Sequence, residues 1–189
     1  SDVCSSDLGI AVSAIIATHA AAAMGAIAWC GAEWAHRGKP TVLGVASGAV
    51  AGLATVTPAA GYIAPMSAIA IGLVAGMTCY AAIVWKGRFG YDDSLDVVGI
   101  HGVGGVIGIL ATGLFASKVV NPGGADGLFF GNPGLFGIQL LVAAVTTIFS
   151  IIGTFVILKL VDSMTGLRVS SEEEATGLDL SQHNERAYS

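Results

Sequence analysis

Four stretches of the chain carry no Asp, Glu, Lys or Arg: Gly9 to Ala32, Thr41 to Trp85, Val97 to Ser117, and "FGIQLLVAAVTTIFSIIGTFVIL" from Phe136 to Leu158. A hydrocarbon core about 30 Å thick is crossed by about 20 apolar helical residues rising about 1.5 Å each. Three of the stretches therefore read as one span apiece, and Thr41 to Trp85 is long enough for two. The break between those two falls at "TPAAGYIAP", where Pro58, Gly61 and Pro65 do not continue one straight helix. The pattern predicts an all-α integral membrane protein with five transmembrane helices spread over residues 9–162. A water-soluble bundle is the competing reading, but helices this apolar would have no polar faces to cover it.

Composition agrees with that picture: 54% of the 189 residues are hydrophobic, 11% are charged, and mean hydropathy is +0.77. The net charge of −5 arises largely beyond Ser163 and gives no sign of nucleic-acid binding. Cys4, Cys30 and Cys79 have neither metal-ligand nor disulfide spacing and read as packing residues. The basic residues orient the spans. If the first span runs outward to inward, Arg37, Lys39, Lys86, Arg88, Lys159, Arg168 and Arg186 fall on the cytoplasmic side and Lys118 alone falls outside. This places the segment 163–189 in the cytoplasm.

The two ends differ from the middle. "SDVCSSDL", residues 1–8, matches residue for residue the translated end of a common sequencing adapter, and is expected to be an artefact fused to a reading frame. An ordinary polar segment is the plainer alternative. In the tail, Ser170 or Ser171 can cap a short helix, with Glu173 or Glu174 three residues later closing a capping box. A solvated tail is the simple reading of its charges, and its basic and aromatic ending also suits docking to a partner or to the chain's own cytoplasmic loops.

Within the spans, only His19 and His101 are of a residue type whose unperturbed pKa is near neutral. Polar groups in lipid are costly, so each needs a partner, a cavity or a task. His101 lies in "YDDSLDVVGIHGVGGVIG". If its helix begins near Asp93, with Asp93 and Asp96 at the positive end of the helix dipole, His101 sits about 12 Å deep. Gly99, Gly102, Gly104, Gly105 and Gly108 strip this helix of bulk, permitting either close helix contact or a narrow lumen. Gly48 with Gly52, and Gly72 with Gly76, repeat the small-residue spacing. A buried histidine held only by local bonds is the structural alternative for His101, and for His19 packing or hydrogen bonding is the preferred reading. His36 and His183 lie in polar segments, so the four histidines suggest no metal site.

Three stretches, "EWAHRGKPTVLGVASGAVAGLATVTPAAGYI", "DDSLDVVGIHGVGGVIG" and "GLRVSSEEEATGLDLSQHNERAY", together resemble the ammonium transporter (Amt/Mep/Rh) family in its C-terminal half. The resemblance implies a fragment of an eleven-helix inverted-repeat channel holding helices seven to eleven, with the substrate path at the repeat interface. It implies a homotrimer in the inner (plasma) membrane that passes ammonium or ammonia, not an enzyme, and it implies no cofactor. By the same resemblance His101 is the second of two pore histidines. Val97 is an apolar lumen residue one turn before it, Ser47 a small polar pore position on the second span, and Asp93, with Asp96, a structural acid near the pore. His19 is not the other pore histidine, which belongs to the fifth helix. The tail resembles a regulatory segment that, in many bacterial members, accompanies binding of a PII-type signal protein. It departs from the family at Asn184, where glycine is frequent. An ammonium sensor signalling to a cytoplasmic partner is the alternative, marked by a signalling domain following the tail. A membrane bundle with no transport role is a third.

Overall fold

The computed structural model describes residues 2–186, so Ser1, at the edge of the adapter-like stretch, and the tail's last residues, 187–189, lie outside the described residues. All regular structure among the described residues is helical. The order is α1 (Asp2–Arg37), α2 (Val42–Val56), α3 (Pro65–Phe89), a π turn (Val98–Gly102) running directly into α4 (Val103–Phe115), a 3₁₀ turn (Leu128–Phe130), α5 (Pro133–Thr165), α6 (Ser171–Thr176) and α7 (Leu178–Ser181). α1, α3, α5 and the continuous Val98–Phe115 segment are long and apolar enough to cross a membrane. α2 occupies the position of the remaining expected span but has only 15 residues. The chain breaks where the prolines and glycine of "TPAAGYIAP" require it, α3 taking Pro65 as its first residue.

Residues Ser1–Ala144 and Val145–Ser189 form two compact units. In the first, α1 is held between α2 and α3 by the paired glycines. A methyl group on Gly52 or on Gly72 would run into the Ala21 carbonyl, and one on Gly48 or Gly76 into the Gly25 carbonyl. The pairings fix directions: as α1 advances from Ala21 to Gly25, α2 retreats from Gly52 to Gly48 and α3 advances from Gly72 to Gly76. α1 and α3 are therefore parallel, which brings Arg37, Lys39, Lys86 and Arg88 to one end. α4 repeats the device, since Gly104 and Gly108 lie against Thr55, and Gly108 also against Pro58. Small residues dominate the core around Ala17, Ala21, Ala59, Ala68 and Ala111, and a second cluster joins Trp29, Ala51, Cys79, Tyr80 and Ile100. Without a hydrophobic force between helices in lipid, such close backbone approach is what association rests on.

At the other end of α2, the loop after α4 supplies hydrogen bonds that the irregular Pro58–Ala64 backbone lacks. Ser117 N–H donates to the Tyr62 carbonyl (2.8 Å), and the Asn121 side-chain amide donates to the Gly61 carbonyl (3.1 Å). α5 exposes Leu141, Ile148, Phe149, Ile152 and Phe155 and buries little beyond Ala143. In the second unit, the capping box uses Ser170 and Glu173, one of the two registers that the sequence leaves open. Gly177 and Asn184 adopt positive φ, the latter +52°.

Candidate functional site

The segment leading into His101 is built by three charged side chains. Asp93 turns its carboxylate onto the Val97 and Val98 N–H groups, at 2.8 and 3.0 Å, and so caps the helix that follows. The helix starts at Val97, not near Asp93, because Asp96 adopts left-handed backbone (φ +57°) and interrupts the path between them. His101 consequently lies four residues, about 6 Å, into its helix, instead of eight. Asp96 takes no capping role. Its carboxylate pairs with Lys86 Nζ from α3, and the same ammonium donates to the Asp93 backbone carbonyl at 2.6 Å.

His101 falls within the π turn. The Val103 N–H reaches the Val98 carbonyl five residues back as well as the Ile100 carbonyl, which widens this one turn. The turn has two faces. On one, Gly99 lies against Ile83, Ile100 is buried near the Cys79 thiol, and Gly104 meets Thr55. On the other, His101 and Gly102 are exposed, Val97 is 48% exposed, and a methyl group at Gly105 would touch nothing within 4 Å. The structure thus brings Val97 and His101 together, one turn apart, on an open face of an otherwise packed helix. Ser47 is half-buried on α2, and the α2 residue seated against α4 is Thr55, two turns further on. His19 lies midway along α1, its Nδ1–H donating to the Ile15 carbonyl of its own helix at 3.0 Å.

Some organising residues escape a reading of the sequence. Glu33, 3% exposed, accepts from Thr41 N–H and Thr41 Oγ1 and stands 3.8 Å from Arg37. Thr41 Oγ1 in turn accepts from Gly44 N–H and caps α2. His36 Nδ1 hydrogen-bonds the Tyr80 hydroxyl at 2.8 Å, and Tyr80 also packs edge-on against Trp29. The only signal for Glu33 is that it is the sole acid between Gly9 and Trp85. A cavity of about 210 Å³ bounded by Pro58, Tyr62, Thr112, Leu135 and Gln139 lies near the far end of α4.

A sequence profile of the Ammonium Transporter Family matches residues 3–188, almost the entire chain. The chain belongs to the ammonium transporter family. Among curated members of that family, this one is 49% identical to the "Ammonium transporter" of Bacillus subtilis over 95% of its own length and 45% of that protein. It is 48% identical to "Ammonium transporter Amt1" of Archaeoglobus fulgidus, again over 95% of this chain and 45% of the relative. Among solved structures, this family member is similar to Mep2 of Saccharomyces cerevisiae, with a TM-score of 0.81 and 34% identity over 86% of this chain and 38% of that one. It is similar also to a structure described as "Sensor Amt Protein", with a TM-score of 0.78 and 28% identity over 90% of this chain and 41% of that one. The chain spans less than half the length of these relatives. Its apolar helices and its family make it a multi-pass membrane protein.

Proposed function

We propose that the complete protein carries ammonium or ammonia across the membrane, and that the open face bearing Val97 and His101 forms one wall of the path. The observation that carries this reading is an imidazole exposed on the uncovered side of an apolar membrane helix, in a chain of the ammonium transporter family. Imidazole both donates and accepts hydrogen bonds and titrates near neutrality, which suits a site where a cation sheds hydration or a proton. In this reading His101 is one of two pore histidines, Val97 keeps the path apolar, and Ser47 offers a polar group beside it. Asp93 fixes the start of the helix. The assembly is a homotrimer in the inner (plasma) membrane, and the tail lies in the cytoplasm, where it is available to a PII-type signal protein. The common end of Arg37, Lys39, Lys86 and Arg88 supports that orientation.

The test is ammonium uptake by the full-length protein in cells lacking other ammonium transporters. His101→Ala is expected to lower uptake about a hundredfold or more, the scale of removing a positioned acid–base group. Unchanged uptake at equal membrane abundance would remove His101 from the path. The likeness to "Sensor Amt Protein" favours a second reading, an ammonium sensor. Ammonium-dependent change in the tail without uptake supports the sensor over the transporter.

A further inference from the structure

We infer that Lys86 is the positioning residue for His101, acting by holding Asp96 in a left-handed backbone conformation; the inference rests on the reading of His101 as a pore residue. Three observations meet here. Asp96 is one of two non-glycine residues with positive φ among the described residues, and the other lies in the tail. Lys86, reaching from the neighbouring helix, binds both the Asp96 carboxylate and the Asp93 carbonyl, so a single ammonium clamps both ends of the four-residue approach to the helix, Asp93 to Asp96. The Ile100 N–H then donates to the Asp96 carbonyl at 2.9 Å, making Asp96 the first acceptor of the helix that carries His101.

The left-handed region costs an ordinary L-residue about 1–2 kcal/mol and aspartate less, so the conformation of Asp96 competes with the commoner regions and persists where its surroundings favour it. Lys86 supplies that hold from α3, against which the π turn is packed through Gly99 and Ile83. Released from the clamp, Asp96 relaxes toward the ordinary right-handed or extended regions. The helix then starts in a different place, and a one-residue change of start turns the side chains by about 100° on a 3.6-residue turn. His101 would point away from the open face. Lys86 lies outside that face and touches no substrate in this arrangement.

The experiment measures saturation kinetics of ammonium uptake in the full-length protein, normalised to its abundance in the membrane. Lys86→Met is expected to lower maximal uptake about tenfold with KM changed less than about twofold, as for lost placement without lost ground-state binding. Lys86→Arg, which keeps the cation, is expected to restore most of it. The decisive arms are the pairs Lys86→Met with Asp96→Gly and Lys86→Met with Asp96→Ala. Both remove the carboxylate left unpaired, but only glycine takes positive φ freely. Rescue by glycine and not by alanine supports the clamp; equal rescue, or none by glycine, overturns it. If Lys86→Met alone does not reach the membrane, the two double variants decide in the same way. Loss of uptake in His101→Ala with normal uptake in Lys86→Met sinks the clamp and spares the pore assignment; normal uptake in both sinks both.

Discussion

Gly52 in α2 and Glu173 in α6 each sit at the centre of their region, one because it has no side chain and the other because of how many bonds its side chain makes. At Gly52 a methyl group would strike the Ala21 carbonyl and lie 3.0 Å from the Ala22 Cα. The Glu173 carboxylate accepts from Ser170 N–H (3.0 Å), Ser170 Oγ (2.8 Å) and Gln182 Nε2 (3.0 Å), while its backbone carbonyl accepts from Ser181 Oγ (3.3 Å) and Gly177 N–H (3.1 Å). The difference follows from the solvent. In lipid an apolar side chain gains nothing by leaving hydrocarbon for a neighbouring helix, so fit between backbones is what remains. In water, helices of 6 and 4 residues are too short to persist on their own hydrogen bonds, and a polar side chain that ties them together can supply the deficit.

The sharpest way to break this contrast is Gly52→Ala. The added methyl meets backbone, which cannot rotate aside, so the substitution is expected to destabilise the membrane unit by about 3 kcal/mol or more, read as a lowered unfolding midpoint in detergent. Gly105→Ala serves as the control, since nothing lies within 4 Å of its added methyl, and its midpoint is expected to stay within about 0.5 kcal/mol of the parent.

The tail breaks differently, through protonation. The Ser170 hydroxyl, then the Ser170 N–H, hold the Glu173 carboxyl below the usual carboxylate range; desolvation opposes them, and Gln182 adds a lesser lowering. A carboxyl whose folded value is depressed contributes its stability above the unfolded value and loses it as pH falls through the folded one. Amide-exchange protection at Glu173, Glu174 and Gly177 is therefore expected to be constant near neutrality and to fall as pH drops below about 4.3, the ordinary glutamate value. Glu173→Gln should flatten that dependence, whereas the Gly52 interface should not respond over the same range. The smallest effect is expected at Asn184. Its positive φ is one that asparagine tolerates and glycine prefers, so Asn184→Gly should stabilise the tail by about 0.5 kcal/mol, seen as slower exchange around α7.

These regions were unequally legible in the sequence. The long uncharged runs and the "TPAAGYIAP" break are read directly, because each depends on chain-local chemistry: apolar length, and proline's missing donor. The capping box is local too, yet two serines followed by three glutamates admit two registers, and only the Gln182 and Ser181 contacts from α7 select Ser170 with Glu173. The positive φ of Asn184 is one that asparagine tolerates, so nothing in the local pattern announces it. The start of the His101 helix is not legible in the sequence, because it depends on the left-handed backbone of Asp96, whose carboxylate pairs with Lys86 from another helix. In the run from Gly99 to Gly108 the glycines are too dense for periodicity to assign faces, so which of them pack and which stand open emerges only against Ile83 and Thr55. Of Ser47 and Val97, only Val97 shares its turn with His101.

The loop from Ser117 to Gly127 has a practical consequence for anyone labelling this protein. Its Pro122-Gly123-Gly124 tip is the obvious place to insert an epitope or a fluorophore on that side. Yet Asn121, one residue before the tip, is the donor to the Gly61 carbonyl, Gly124 lies against the Tyr62 ring, and the Gly127 N–H closes the loop onto the Ala116 carbonyl at 2.7 Å. An insertion there would detach the loop from the turn after α2 and leave peptide carbonyls bare at the edge of the hydrocarbon. For the purposes of a reporter, that loop is part of the bundle, and the label belongs elsewhere.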